Sequence, residues 1–174
     1  MNIIIRRMTD SDAPILTAEE IAQGWGAEGR LEKYLSRLAD MRKGRCISLV
    51  AELDGAVAGY INLYSQPTAG PFAGQHIPEI VDFGVLEKYR RRGVGSALMD
   101  EAERLAAEMS DTVCLGVGLH AGYGSAQRMY VKRGYIPDGS GAWYGESPAE
   151  PYGSTCLDDD LALYFSKQLQ SKKD

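Results

Sequence analysis

The sequence predicts a single α+β domain, residues 1–174, built around a mixed β-sheet. The length of 174 residues suits one domain, and a hydrophobic content of 44% is ordinary for a globular protein. Two apolar runs, Cys46–Leu53 and Ala56–Tyr64, are joined by Asp54-Gly55, a pair that favours a tight hairpin turn. Further along the chain, apolar strand patterns alternate with helical patterns, as they do in α+β and α/β proteins.

The N-terminal region is predicted to contain one short strand and two amphipathic helices. Ile3-Ile4-Ile5 is interpreted as the strand, and Asp10 or Ser11 is expected to cap the helix that follows. Apolar residues spaced by three or four positions indicate the buried stripe of each helix. We expect the first stripe to contain Ile15, Leu16 and Ile21, and the second to contain Leu31, Tyr34, Leu35, Leu38 and Met41.

The remaining strands and helices are separated by two long loops. Tyr135-Ile136-Pro137 begins a strand, and Gly134 before it is expected to end a helix in the left-handed conformation. Segments rich in glycine and proline, without periodicity, predict loops. We expect strands at Glu79–Leu86, Thr112–Leu119 and within Leu157–Leu169, helices at Gly93–Met109 and Gly124–Arg133, and loops at Gln66–Pro78 and Asp138–Thr155.

The composition disfavours several classes of function. The formal net charge of −5 argues against nonspecific binding to nucleic acid and, if anything, favours cationic partners. Cys46, Cys114 and Cys156 are scattered without C-x-x-C spacing, so neither a disulfide framework nor a zinc site is indicated. No signal peptide and no run of about 20 apolar residues is recognisable. We therefore expect a cytoplasmic protein that binds no metal, nucleic acid or membrane.

The segment YRRRGVGSALM, residues 89–99, has the parts of an anion-binding site. Gly93 and Gly95 allow the backbone to curl so that successive N–H groups converge. The helix that follows adds its positive N-terminal end, and the three arginines add full charges. A bound pyrophosphate would satisfy all of these groups at once, whereas the alternative is an exposed turn with solvated arginines.

Two common phosphate-binding motifs do not match this segment. A Walker A loop needs Lys and Ser or Thr after its second glycine, and this pair is absent. The dinucleotide fingerprint needs a third glycine where Leu98 stands. Nicotinamide and flavin cofactors are therefore disfavoured.

Two motifs in sequence order resemble those of the GNAT-type N-acetyltransferases. EIVDFGVLEKYRRRGVGSALM, a strand leading into R-x-x-G-x-G and a helix, resembles the acetyl-CoA signature of that superfamily. AQRMYVKRGYIP resembles its second motif, in which Leu/Met-Tyr is followed by three residues and Gly-Phe/Tyr. With the helices and the hairpin before them, the resemblance covers nearly the whole chain. It implies a mostly antiparallel central sheet with helices on both faces, and splayed strands that form an acetyl-CoA cleft.

The resemblance implies a binding site for acetyl-CoA as co-substrate. The backbone of Phe83 and Val85 would pair with the pantetheine arm, and the turn would cradle the pyrophosphate. The turn residues so assigned are Arg90, Arg91, Arg92, Gly93, Val94, Gly95 and Ser96. The family often has Asn seven residues before its motif tyrosine, whereas this sequence has Tyr123. Nearby Ser125 is predicted to replace the lost hydrogen bond.

The same resemblance implies how the acetyl group is transferred to an amine. The Val85 N–H would polarise the thioester carbonyl, as in an oxyanion hole. Tyr130, from its position in the second motif, would lie beside acetyl-CoA and protonate the departing sulfur. Packing of its ring against an amphipathic helix is the alternative interpretation of Tyr130.

A base is also needed, because an alkylamine with a pKa near ~10.4 is almost entirely protonated at pH 7. Glu79 is the predicted base, since some family members carry a catalytic glutamate at this position. Asp82, His120 and a water molecule are the alternatives. Because side chains alternate along a strand, Glu79 and Asp82 are expected on opposite faces unless a bulge intervenes.

Acceptor specificity is expected in the irregular segments, which include Gly24–Gly29 as well as the two long loops. These segments hold aromatic residues beside carboxylates, a combination that suits a cationic amine, although packing of the loops explains it equally well. The residues concerned are Trp25, Phe72, Trp143, Tyr144 and Tyr152, with Glu146 and Glu150.

The sequence thus predicts an N-acetyltransferase that moves an acetyl group from acetyl-CoA to a primary amine of a small molecule. Direct attack in a ternary complex is the expected mechanism. One alternative is an enzyme that acetylates protein N-termini or lysines, and another is a catalytically silent acyl-CoA-binding module. The resemblance also implies a homodimer.

Overall fold

The computed structural model describes residues 1–169, and the chain divides into two compact units. Unit 1 comprises Met1–Tyr64 and Val81–Leu105, and unit 2 comprises Ser65–Ile80 and the chain from Ala106 onward. One strand crosses the boundary at residues 80 and 81 and so contributes to both units. That the two units act as a single domain stays a prediction.

Unit 1 combines three helices with an antiparallel set of strands. Its strands follow the order β1-β2-β3-β4. At the predicted hairpin, Asp54 (φ 50°) and Gly55 (φ 86°) have the positive φ values of a tight two-residue turn, which confirms that prediction. The elements are β1 (Ile3–Arg7), α1 (Asp12–Ala22), α2 (Arg30–Arg42), β2 (Cys46–Leu53), β3 (Ala56–Tyr64), β4 (Glu79–Val85) and α3 (Val94–Ala106).

A cluster of buried side chains from α1, α2 and the neighbouring strands forms one part of the core of unit 1. It contains Met8, Ala13, Leu16, Tyr34, Leu38, Val50 and Tyr60. The predicted stripes are confirmed for Leu16, Tyr34 and Leu38. They are wrong for Ile15, Ile21, Leu31 and Leu35, whose side chains are 37–46% exposed. The inward face of α1 instead ends in a charged residue, Glu20, which is completely buried and lies 2.9 Å from Arg30.

The start of α1 is held by a buried ion pair. Ser11 occupies the N-cap position, but its side chain makes no capping hydrogen bond. Asp12 reaches back instead: its Oδ2 accepts from Thr9 N at 2.7 Å, and both of its oxygens accept from Arg6 at 2.7 Å. Burial opposes ionisation of Asp12, yet these hydrogen bonds outweigh it and lower the pKa of the carboxyl.

We expect this ion pair to make stability depend on pH in the acid range. Because the pKa of Asp12 is lower in the folded state, its contribution is complete above the unfolded pKa of about 3.9 and is lost as pH falls further. Asp12→Ala leaves Arg6 with Glu52 as its remaining carboxylate partner and removes the acceptor of Thr9 N, and it should cost about 1–3 kcal/mol at pH 7. Urea unfolding at pH 7 and pH 3 tests this, and a variant that loses stability as steeply as wild type on acidification contradicts it.

Unit 2 is built on β5 (Thr112–Gly118), α4 (Gly124–Lys132), β6 (Ile136–Tyr144), β7 (Ser147–Pro148) and β8 (Leu161–Gln168). Its strand order is β4-β5-β8-β6-β7, in which β4 and β5 are parallel and the other pairs antiparallel. The predicted α+β class with a mixed, mostly antiparallel sheet is thus confirmed. Gly134 ends α4 with a φ of 88°, as predicted.

The loop predicted at Asp138–Thr155 is wrong over its first half. β6 continues to Tyr144, and β7 pairs with it. The register of β6 against β8 shifts between Pro137 and Ala142, where Gly139 (φ 89°) and Gly141 (φ 80°) are left-handed. This irregular, mostly exposed stretch lacks the alternation by which a strand is recognised.

Candidate active site

The turn from Arg90 to Ser96 leads from a short 3-10 helix into α3. Arg91 (φ 60°) and Gly93 (φ 84°) are left-handed, which bends the backbone sharply before the helix. The Gly93 carbonyl accepts from Ala97 N at 3.0 Å, so the helix begins at Val94. The N–H groups of residues 94–96 therefore have no acceptor within the helix. This is the arrangement of backbone donors that an anion requires.

The three arginines of the turn have different surroundings. Arg90 Nε donates to the Val85 carbonyl at 3.2 Å, and its Nη1 lies 3.5 Å from Glu87. Arg90 is thus tied to the end of β4 and engages one of the backbone groups of Val85. Arg91 and Arg92 are exposed beside the start of α3.

The two glycines of the turn are needed for different reasons. A Cβ at Gly95 would lie 3.3 Å from Phe83 Cζ and 3.4 Å from Val85 Cγ2, so the first turn of α3 packs closely on β4. A Cβ at Gly93 would meet only Ile3, at 3.6 Å. At Gly93 the positive φ, rather than space, favours glycine.

Asp82 breaks the regular geometry of β4 with a φ of 54°. Its Oδ1 lies 3.3 Å from the Tyr60 hydroxyl and 3.5 Å from Lys33 Nζ, and its Oδ2 lies 3.6 Å from Arg37 Nε. Both oxygens therefore face cations of α2. Because these contacts already occupy the carboxylate, the geometry disfavours Asp82 as the base.

His120, the other alternative base, has both ring nitrogens engaged. Its Nδ1 accepts from Gly122 N at 3.0 Å, so the proton is on Nε2, which lies 2.9 Å from Asp159 Oδ1. The bond from His120 is the largest cause of the lowered pKa of Asp159. His120 thus caps the 3-10 turn at Ala121–Tyr123, and the engagement of both ring nitrogens disfavours it as the base.

Tyr130 lies on α4 with 6% of its surface exposed. Its ring centroid is 5.8 Å from that of Tyr135. Burial, with a smaller effect of Tyr123, raises the pKa of Tyr130 above the ordinary value of 10.0. The phenol is therefore protonated at neutral pH, as the predicted proton donor must be.

Tyr123, at the position where the family often has Asn, is directed elsewhere in unit 2. Its hydroxyl donates to Asp159 Oδ1 at 2.8 Å, and its ring fills the space beside Gly118 where a Cβ would stand. Ser125 is exposed in the first turn of α4. The role predicted for Ser125 stays a prediction.

Glu79 shares one face of unit 2 with an aromatic residue that the sequence analysis missed. The ladders place Glu79 opposite Cys114, and Gly116 opposite Tyr164, so all four lie on the same face. A Cβ at Gly116 would lie 3.1 Å from the Tyr164 ring, and one at Gly70 would lie 2.8 Å from it. Burial, followed by the charge of Glu79, raises the pKa of Tyr164.

Of the predicted acceptor aromatics, Trp143 joins this face. Its ring meets that of Tyr164 edge-on, with centroids 5.9 Å apart. Trp143 Nε1 donates to Ser140 Oγ at 2.8 Å, and the same hydroxyl lies 2.9 Å from Asp138 Oδ1. Asp138 and Glu146 also contribute to the raised pKa of Tyr164. The charges of Glu79, Asp138 and Glu146 thus all act on Tyr164, and Asp138 is also linked to Trp143 through Ser140.

The other predicted aromatics have separate surroundings. Trp25 lies under the Arg30 guanidinium, 5.2 Å from its ring centroid, in unit 1. Phe72 is buried, and Tyr152 is fully exposed. The Tyr144 hydroxyl donates to Asp158 at 2.9 Å. Glu146 and Glu150 are exposed.

Two features of the sequence could have pointed to more of the site. Asn62 interrupts the apolar run of β3, and such a polar residue in a buried strand usually has a partner. Residues 134–166 contain six acidic residues and neither lysine nor arginine. Tyr164 had no comparable signal, because only the strand register shows that it faces Gly116.

Metal and membrane features are limited in the described residues. Among residues 1–169, no group of His, Cys, Asp and Glu is arranged to hold a metal ion. None of the helices in this range combines the length and the apolar character needed to cross a membrane.

Comparison with known proteins identifies the family. No curated protein matches the chain in sequence. An N-acetyltransferase from Staphylococcus aureus has a similar structure, with a TM-score of 0.69 at 17% identity over 98% of this chain and 100% of that one. A ribosomal-protein-alanine N-acetyltransferase from Brucella melitensis has a TM-score of 0.67 at 23% identity over 95% of this chain and 99% of that one. PaiA N-acetyltransferase from Thermoplasma acidophilum, solved with coenzyme A, has a TM-score of 0.63 at 18% identity, over 97% and 99% of the two chains. These likenesses show the fold, while the sequence model of the acetyltransferase (GNAT) family matches residues 14–135. The chain therefore belongs to the GNAT acetyltransferase family and is an acyltransferase.

Proposed function

We propose that the protein transfers the acetyl group of acetyl-CoA to a primary amine of a small cationic molecule, by direct attack in a ternary complex. The observation that carries this proposal is the turn at Arg90–Ser96, where two left-handed residues and three arginines precede the first turn of α3. In a GNAT acetyltransferase, such a turn suits the pyrophosphate of the acetyl donor.

The residues of unit 1 fit acetyl-CoA. The amides of residues 94–96 and the side chains of Arg91 and Arg92 would hold the pyrophosphate. Gly95 keeps α3 close to Phe83 and Val85, whose backbone would bind the pantetheine arm. Because Arg90 already engages the Val85 carbonyl, the Val85 N–H is the group we assign to the donor.

Direct attack is favoured because two of the three cysteines have raised thiol pKa values and the third, Cys46, is buried. Cys114 is completely buried, and burial, with the charge of Glu79, raises the pKa of its thiol well above 9.0. A hydrogen bond to Asp158 raises the pKa of the exposed Cys156 thiol. Both side chains stay protonated at pH 7, whereas an acyl-cysteine intermediate needs a thiolate.

Proton transfer is assigned to two residues of unit 2. Acetyl-CoA supplies an acetyl thioester, which the neutral amine attacks with loss of the CoA thiolate. Glu79 would accept the proton of the amine at a carboxylate oxygen, directly or through water. Tyr130, whose raised pKa keeps its proton on Oη at neutral pH, would donate that proton to the departing sulfur.

The charge of unit 2 supports a cationic acceptor. In unit 1 the buried carboxylates of Asp12 and Glu20 are paired with arginines. Residues 134–166 carry no lysine or arginine, and hydroxyl and backbone N–H groups, which are uncharged, donate to Asp138 and Asp158. Asp138 is linked to Trp143 through Ser140, and its negative charge, with the rings of Trp143 and Tyr164, suits an ammonium group through Coulomb attraction and cation–π contact.

Replacing the predicted base tests its role in proton transfer. We expect Glu79→Gln to lower kcat/KM at pH 7 by about a hundredfold. The loss should shrink at high pH, where more of the amine is already neutral. Glu32→Gln, which removes one charge from an exposed residue of α2, is the matched control. Parallel pH–rate profiles for wild type and Glu79→Gln would exclude Glu79 as the base.

A panel of amines tests the proposed function. Release of CoA thiol from acetyl-CoA is measured with a small monoamine, a small diamine, a peptide with N-terminal alanine and a peptide with an internal lysine. We expect the highest kcat/KM for the diamine. A preference for either peptide overturns the small-molecule acceptor. Tight binding of acetyl-CoA without thiol release above the uncatalysed rate indicates the silent module.

A further inference from the structure

Asn62 connects the middle of β3 to the irregular part of β4. It is completely buried, and its Nδ2 donates to two successive carbonyls of β4, those of Val81 at 3.2 Å and Asp82 at 3.0 Å. Its Oδ1 accepts from Ser48 Oγ at 2.7 Å, and Ser48 is also completely buried. Ser48 lies directly opposite Asn62 in the β2–β3 ladder. The Asn62 side chain thus accepts a hydrogen bond from β2 and donates to two carbonyls of β4.

In a regular strand, successive carbonyls alternate in direction. In β4, the carbonyls of Val81 and Asp82 instead point toward the same side chain. The left-handed conformation of Asp82 produces the difference. In each trans peptide the C=O and the N–H point in opposite directions, and the chain has no cis peptide bond. Since the carbonyls of Val81 and Asp82 both face Asn62, the N–H groups of Asp82 and Phe83 both point away from β3.

The neighbouring backbone is packed too closely for this arrangement to relax. A Cβ at Gly59 of β3 would lie 2.6 Å from the Gly84 carbonyl, and a Cβ at Gly84 would lie 2.9 Å from the Tyr60 ring. The two strands therefore approach each other closely through Gly59 and Gly84, next to the irregular residue Asp82. An L-residue rarely adopts the φ of Asp82 unless its surroundings hold it there.

We infer that Asn62, supported by Ser48, is a positioning residue that holds the N–H groups of Asp82 and Phe83 side by side for the acyl carbonyl oxygen of the donor. Paired N–H groups stabilise an oxygen that gains negative charge, and they do so best when their direction is fixed in advance. The inference rests on the proposed function, because it supposes an acetyl thioester beside β4. The N–H groups of Asp82 and Phe83 would act together with that of Val85 as hydrogen-bond donors to the acetyl group. This role would explain why the Asn62 side chain lies buried in the apolar strand β3.

The test compares Asn62→Leu with wild type. Leucine has the same branched arrangement of side-chain heavy atoms but cannot bind the two carbonyls. We expect kcat to fall by about ten- to a hundredfold, less than deletion of an oxyanion donor itself costs, while KM for the amine changes little. Affinity for CoA, which lacks the acetyl group, should be retained in calorimetry. Thr112→Val, which removes a buried hydroxyl bound to Gln168 in unit 2, is the control for a purely structural loss. It should lower stability without changing kcat.

A second measurement does not depend on turnover. In wild type, acetyl-CoA should shift the backbone amide signals of Asp82 and Phe83 in NMR spectra more than CoA does, and Asn62→Leu should abolish this difference. If Asn62→Leu does not fold, Ser48→Ala takes its place. This variant keeps both bonds from Asn62 Nδ2 but removes the hydroxyl that holds the amide, so it should reduce kcat and the difference between the acetyl-CoA and CoA shifts severalfold. Equal shifts with both ligands in wild type, or an unchanged kcat in a folded Asn62→Leu, overturn the inference. Absence of thiol release with every amine, alongside a normal shift difference, contradicts only the proposed function.

Discussion

Replacing Tyr130 by phenylalanine is expected to lower the turnover number by about ten- to a thousandfold while the affinity for acetyl-CoA stays nearly the same. Phenylalanine keeps the buried ring and its contact with Tyr135 and removes only the hydroxyl. A thiol with a pKa near ~8.5 is a fair leaving group without help, so protonation of the sulfur should assist the reaction without being indispensable. Single-turnover measurements with a saturating amine report the chemical step directly.

The raised pKa of Tyr130 adds a pH dependence to this prediction. The residue must be protonated to donate, and its pKa lies above 10.0 in the folded protein. Loss of rate from ionisation of Tyr130 should therefore appear only above pH 10. Tyr135→Phe is the matched control, because it removes a neighbouring buried hydroxyl at a position where the family motif accepts phenylalanine. If Tyr130→Phe and Tyr135→Phe both react like wild type, Tyr130 has only a packing role.

Replacing Gly93 by valine is expected to abolish measurable binding of CoA. Valine at a φ of 84° is strained by about 1–2 kcal/mol, and the chain can relieve this strain only by changing the turn that precedes α3. The N–H groups of residues 94–96 and the arginines would then no longer converge. Isothermal titration calorimetry with CoA measures the effect.

The hairpin turn offers a matched control for this substitution. Gly55 has a φ of 86° and open space around its Cα, so Gly55→Val imposes the same backbone strain in the β2–β3 turn. Both variants should lose similar stability in urea, and only Gly93→Val should lose CoA. Unchanged CoA affinity in a folded Gly93→Val would place the pyrophosphate elsewhere.

Local rules predicted the parts of this protein that depend on a few neighbouring residues. Asp54-Gly55 specified the hairpin because few other pairs accept two positive φ values. Gly134 specified the end of α4 because the left-handed conformation after a helix favours glycine. The spacing of Gly93 and Gly95 predicted the turn before α3, although the close packing of Gly95 against Phe83 became visible only in the structure.

The sequence could not predict features that depend on partners distant in the chain. The helix stripes were partly wrong because Glu20, a charged residue, occupies an inward position through its bond with Arg30. The second half of β6 was missed because its glycines and its register shift against β8 hide the alternation of a strand. Tyr164 and Asn62 gain their surroundings from strand register, which no local pattern encodes.

The most direct test of the account is a competition in one reaction mixture. Acetyl-CoA, a small diamine and a peptide with N-terminal alanine at equal concentrations are incubated with wild type and with Tyr130→Phe, and the products are identified by mass spectrometry. The account predicts that wild type monoacetylates the diamine in preference to the peptide and releases one CoA thiol for each acetyl group transferred. Tyr130→Phe should form the same product at the lower rate. Acetylation of the peptide in preference to the diamine, or no acetylated product from wild type, would contradict it.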